Sequence, residues 1–167
     1  MENNFNRVQL CGTVDSEPVF SHANHGISFF KFTLAVERLS GLSDKLAVIV
    51  SAPLLAAVPL RVGDMATVQG QLRSYNNKSG QGSRLVITVL VRDLAVTQEG
   101  EGVNRLVLSG ALCKRPVVRR TPLGRSICDL LLAVNRAYGR ADYLPCIAWG
   151  SLAACCGRMS VGDRLRL

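Results

Sequence analysis

Tyr143 and Trp149 stand six residues apart in the segment Asp142-Tyr143-Leu144-Pro145-Cys146-Ile147-Ala148-Trp149-Gly150. On a strand, an even spacing turns both rings to one face, while Leu144, Cys146 and Ala148 turn to the other and fill a core. Rings with a polar edge suit a half-wet surface, where they stack on other flat rings. Cations surround this segment in sequence. Lys114, Arg115, Arg119, Arg120 and Arg125 fall in what reads as a loop some twenty residues upstream, and Arg136 and Arg140 bracket Tyr138 just before it. Ring stacking beside a cationic groove is the chemistry that holds an unpaired polynucleotide strand. The same spacing also suits packing against a neighbouring unit or a second subunit, and Tyr138 also reads as a solvated loop aromatic. Pro145 has no amide hydrogen, which places its strand at a sheet edge or at a bulge.

Other chemistry finds little support. None of the six cysteines forms a C-x-x-C pair, and the two histidines, His22 and His25, lie far from them, in a Ser/Asn/Gly stretch read as a loop. Small buried thiols in a reducing compartment are expected, not a metal site. Cys155-Cys156 has only Arg158 nearby to lower a thiol pKa. There is no Ser/His/Asp arrangement at catalytic spacing, no Walker-type phosphate loop and no carboxylate pair suited to acid/base work. The reading is a non-enzyme without cofactor or metal.

The chain has 167 residues, 48% of them hydrophobic and 19% charged, with a net charge of +8. That composition folds, and the length suits one medium domain or two small ones. The longest apolar stretch, 46–60, is interrupted by Ser51, Pro53 and Pro59 and is too short to span a bilayer. No basic segment leads into an apolar one at the N-terminus, so a cytoplasmic location without membrane association is expected. The charge is uneven. Residues 1–102 hold nine Lys/Arg and nine Asp/Glu, whereas residues 103–167 hold eleven against three, so the whole excess sits in the last 65 residues. A polyanionic partner for that half follows, though a basic surface also serves solubility.

An internal repeat positions these residues. Asn6-Arg7-Val8-Gln9-Leu10-Cys11-Gly12 recurs 98 residues later as Asn104-Arg105-Leu106-Val107-Leu108-Ser109-Gly110, and Leu34-Ala35-Val36-Glu37-Arg38 recurs as Leu132-Ala133-Val134-Asn135-Arg136. Asp44 meets Asp142 at the same offset, and Val62-Gly63-Asp64 meets Val161-Gly162-Asp163 after one inserted residue. Two copies of one unit are implied: domain 1 over 1–97, a linker over 98–103 and domain 2 over 104–167. Strands are predicted at 6–14, 28–37, 45–51, 65–73 and 84–93, with a short helix at 53–60 and a polar hairpin tip at 76–82. The fold class is all-β: two tandem OB-fold barrels of five strands, each with a helix between its third and fourth strands. The second copy stops early, because Leu167 aligns with Val68. Either the chain is a fragment of a longer protein or another chain supplies the missing pairing; the fragment reading is favoured.

The Asn-Arg-Leu-Val-Leu-x-Gly start, the Pro shortly after it, the Leu-Ala at the second strand's end and the Val-Gly-Asp before the fourth resemble bacterial single-stranded DNA-binding proteins (SSB). The stretch Asp142–Gly150 looks like that family's third strand. Gly70-Gln71-Leu72-Arg73 and Tyr75-Asn76-Asn77-Lys78-Ser79-Gly80 look like its fourth strand and hairpin. The resemblance covers nearly the whole chain, twice. It implies base-stacking positions at Tyr138, Tyr143 and Trp149; the first copy has Ser40, Lys45 and Ser51 there and is read as having lost its platform. Arg73, Tyr75, Lys78 and Arg84 remain on the first unit's hairpin as further contacts, and its five Phe are expected mostly to fill core. The expected function is binding of single-stranded DNA with little sequence preference, in replication, repair or recombination. Four OB units acting together, a homo-oligomer made as a dimer of tandem chains, is a further implication. The other readings are an OB-fold protein-interaction module, such as a primosome or replisome accessory with weak nucleic-acid affinity, and single-stranded RNA binding. The family's acidic partner-recruiting tail has no counterpart in Arg164-Leu165-Arg166-Leu167, so protein partners stay unassigned.

Overall fold

A computed structural model describes residues 5–167; the first four, which the signal-sequence reading includes, lie outside the described residues. The first unit runs β1 (Asn6–Val14), β2 (Val19–Asn24), β3 (Ile27–Glu37), β4 (Ser43–Ser51), α1 (Ala52–Ala57), β5 (Met65–Asn76) and β6 (Leu85–Thr97). Hydrogen-bonded neighbours close a circuit. β1 pairs with β3, β3 with β4, β4 in parallel with β6, β6 with β5, and β5 with β1. This is the strand order of an OB barrel. Period-2 alternation in the sequence supplies its inner face: Val8, Leu10, Phe32, Leu34, Val36, Val48, Val50, Ala66 and Val68 are buried together.

The barrel is tight where strands cross. A Cβ on Gly12 would come within 2.4 Å of the Ala35 carbonyl oxygen, and one on the repeat-equivalent Gly110 within 2.8 Å of the Ala133 oxygen. The glycine ending each Asn-Arg motif is there because the second barrel strand passes directly over it. Helix α1 carries Pro53 in its first turn and ends at Ala57, earlier than the predicted 60. The residue before a proline is driven out of helical geometry, and Val58, preceding Pro59, has φ −129°.

The second unit repeats the pattern: β7 (Val103–Leu112), β8 (Val117–Arg120), β9 (Ser126–Asn135), a 3₁₀ turn (Ala137–Gly139), β10 (Ala141–Trp149), α2 (Ser151–Cys156) and β11 (Arg164–Arg166). β9 joins β7 and β10, and β11 joins β7, so its circuit stays open between β10 and β11 among the described residues. A second core forms around Leu108, Leu112, Cys128, Leu130, Leu132, Val134 and Leu144. The two units join through β1 and β7, antiparallel, with Val8 opposite Leu106 and Leu10 opposite Asn104. Leu106 lies 98 residues after Val8, so each repeat copy meets its own equivalent about a local two-fold axis.

Two strands were not expected. β2 and β8 each fold back on the second barrel strand as a hairpin, so His22 belongs to a strand and not to a loop. Arg119 and Arg120, expected in a loop, likewise belong to strand β8.

Candidate nucleic-acid interface

Strand β10 alternates as its sequence requires. Asp142 and Leu144 are buried and Cys146 and Ala148 half-buried, while Tyr143, Pro145, Ile147 and Trp149 face outward. Tyr143 and Trp149 are each 51% exposed. Among the described strands β10 pairs only with β9, so it is an edge, and Pro145 leaves no ladder hydrogen bond unmade. Six residues at the strand rise separate the two rings by about 20 Å. Ile147 lies between them on the same outward face.

Tyr138 sits in the 3₁₀ turn at φ +67°, fully exposed and beside Arg140. It lines an open groove of about 930 Å³ between the units, together with Arg73, Tyr75, Arg92, Arg136 and Arg140. The floor of that groove is pinned by Asp142, which is completely buried. Its carboxylate accepts from the Ser74 amide at 2.7 Å and from Arg136 Nε at 2.7 Å, and Arg73 approaches to 3.5 Å. The Tyr143 amide in turn donates to Ser74 Oγ at 2.8 Å, and Arg136 donates to the Ser74 carbonyl at 3.4 Å. Strand β5 of one unit is thus stitched to β10 of the other. The hydrogen bond to Asp142 raises the Arg136 pKa above its ordinary value. Burial, then repulsion from Arg136, lowers that of Arg73, because its longer contact with Asp142 compensates only in part. Both guanidinium groups face the groove while being held by a carboxylate.

The remaining candidates divide. Arg119 is paired with Asp129 at 2.6 Å on the outer face of β8 and β9. Lys114, Arg115, Arg120, Arg125 and Arg140 are exposed and have no carboxylate partner among the described residues. Lys78 is exposed at the tip beyond β5, and Tyr75 is 54% exposed on β5. Tyr75, Arg73, Arg136, Tyr138 and Arg140 come together in the groove; Lys114, Arg115, Arg119, Arg120 and Arg125 lie outside it, around β8. Arg92, on the outward side of β6, was not singled out from the sequence, although its strand alternation exposes it. The period-2 pattern puts Asp142 in phase with Leu144, but its partners Arg73 and Ser74 on the other unit cannot be read from the sequence. In the first unit, Lys45 at the position of Tyr143 is tied to Asp15 at 3.0 Å, and Ser51 stands where the second has Trp149. Phe30 and Phe32 serve the core as expected, but Phe20 is 61% exposed and Phe29 lies on the outer face.

Two OB units carrying exposed rings beside free cations define a chain built like the oligonucleotide-binding proteins of this fold. Residues 103–167 match the single-strand binding protein family. The single-stranded DNA-binding protein A of Bacillus subtilis is 36% identical over 34% of this chain and 44% of its own length; protein 2 of Listeria innocua is 40% identical over 28% and 33%. The crystal structure of the wild-type single-stranded DNA binding protein from Thermus aquaticus superposes with a TM-score of 0.80 at 24% identity, covering 98% of this chain and 82% of that one. The dimeric N-terminal domain of PriB from Thermoanaerobacter tencongensis is 41% identical, with a TM-score of 0.50, over 56% of this chain and 98% of that one. The second unit is thus similar to the single-strand binding protein family, and the fold of the chain to that of the Thermus aquaticus protein. The chain spans a third to under half the length of the curated relatives it matches.

Proposed function

We propose that this chain binds single-stranded DNA with little sequence preference, in replication, repair or recombination, by stacking bases on exposed rings while cations hold the backbone. The observation that carries the reading is the outward pairing of Tyr143 and Trp149 on the edge strand β10, within a unit that matches the family. Domain 2 (104–167) supplies the main platform, joined through the 98–103 linker to domain 1 (1–97), which builds the groove's other wall. Tyr138 and Tyr75 stack at the groove, and Lys114, Arg115, Arg120, Arg125, Arg140 and Lys78 contact phosphates. Arg73 and Arg136 contribute charge while bound to Asp142, and Arg119 does so while bound to Asp129. The protein acts without a catalytic step, in the cytoplasm, as a homo-oligomer of tandem chains. No helix among the described residues is long and apolar enough to cross a membrane.

Stacking is worth about 1–3 kcal/mol per base, so Tyr143→Ala with Trp149→Ala is expected to weaken oligo(dT) binding by about 2–6 kcal/mol. Unchanged affinity, with the fold intact by circular dichroism, would remove the platform from the account. Competition between oligo(dT) and oligo(U) reads the sugar preference, since stacking alone does not.

A further inference from the structure

The second unit carries a row of three side chains across neighbouring strands, with Arg119 opposite Ile127 and Ile127, itself buried, opposite Trp149. The first unit has the same row. There His22 is opposite Phe29, and Phe29 is opposite Ser51. Ser51 is the repeat equivalent of Trp149, and Phe29 the equivalent of Ile127. The aromatic has therefore changed strands within one cross-strand pair. Where the second unit has aliphatic on its second barrel strand and aromatic on its third, the first unit has aromatic on the second and a small residue on the third.

The ring in the first unit is not buried in a core. Phe29 is half-buried, and His22 lies parallel to it at 5.0 Å between centroids and 10° between planes. A register shift between Phe20 and His22 is what brings His22, instead of Ser21, opposite Phe29. Ser21 Oγ lies 3.0 Å from His22 Nδ1 and helps fix the imidazole plane. One face of Phe29 is thus covered by an exposed flat ring, and the stack can grow outward by one more ring. Both side chains line the same groove as Arg73, Arg92, Arg136 and Arg140, and no Asp or Glu lines it. A stacked aromatic pair facing several guanidinium groups fits a ligand made of flat rings strung on an anionic backbone.

We infer that the His22–Phe29 stack is a base-stacking site of the first unit, holding one nucleobase of a strand that crosses the inter-unit groove. This rests on the reading of the chain as a single-strand binder, and it replaces the expectation that the first unit has no platform. The site sits on strands β2 and β3, not on the strand that carries the rings in the second unit.

The test measures oligo(dT) affinity and thermal midpoint for the full chain carrying His22→Ala, Phe29→Leu or Trp149→Ala. His22 is exposed, so its removal leaves the core alone, and Phe29→Leu keeps an apolar side chain against the sheet. Each of the two first-unit variants is expected to weaken binding of a strand long enough to cross both units by about fivefold to a hundredfold, the factor for one stacked base, with the midpoint unchanged. His22→Phe is expected to retain the affinity. Wild-type affinity in both first-unit variants while Trp149→Ala weakens binding would overturn this inference and leave the proposed function standing. A loss of affinity that merely follows a lowered midpoint would also overturn it. Loss in the first-unit variants with none in Trp149→Ala would support the site and count against the second-unit platform.

Discussion

Asp44 and Asp142 are the same residue of the repeat, each paired with the arginine six positions earlier, yet only one is buried. Replacing each with alanine separates the effect of burial from that of the pair. Asp142→Ala removes the acceptor of the Ser74 amide, and an orphaned buried donor costs about 1–3 kcal/mol. It also strips the partner from Arg136 and Arg73, whose side chains are 25% and 20% exposed. Breaking a fully buried pair costs about 3–5 kcal/mol; these heads reach solvent, so the combined loss is expected near 3 kcal/mol. For a chain of this size that lowers the thermal midpoint by roughly 6–12 °C. Asp44→Ala breaks a pair on the open surface and is expected to leave the midpoint where it was. Calorimetric scans of the two variants beside the parent protein decide the matter. Equal shifts would refute the claim that β5 packing on β10 makes Asp142 a structural tie between the units.

Three further outcomes follow from the same geometry. Gly12→Ala is expected to destabilise the first barrel by about 1–3 kcal/mol or more in urea unfolding, and Gly110→Ala by less, because the approach at Gly12 is closer. Asp129 is held below its ordinary pKa by its hydrogen bond to Arg119. A carboxyl with a depressed folded pKa contributes stability above its unfolded pKa and loses it as pH falls through the folded value, so NMR titration of Arg119→Ala should show Asp129 protonating at higher pH than in the parent. With the six unpaired cations each neutralising one phosphate, log affinity for oligo(dT) is expected to fall against log salt with a slope of about −4.2, measured by anisotropy.

Much of the fold could be read from the chain because the repeat and the period-2 alternation reinforce each other. The predicted first strand, 6–14, matches β1, and β10 turns outward the residues its alternation selects. The misses have local causes. Every residue of β2 and β8 is exposed, so neither strand shows the alternation that betrays a half-buried strand. Arg119 and Arg120 read as loop for that reason. Alternation puts Asp142 on the inner face, but its tie to Ser74, 68 residues away, is visible only in the fold. The exchange of an aromatic between Phe29 and the position of Ser51 becomes visible only when the β3–β4 register is known, because in sequence the two are 22 residues apart. Residue type leads one to expect most of the Phe in the core, but the odd position of Phe29 on β3, opposite in phase to Phe32 and Leu34, puts it outside.

Trp149 is the chain's single tryptophan, half-exposed on the strand that carries the proposed platform. Its emission therefore reports on that one position during titration with oligo(dT). Strong quenching that saturates together with binding by anisotropy, and reverses on adding salt, is the expected result. Tight binding by anisotropy with the Trp149 emission unchanged would contradict base stacking on β10.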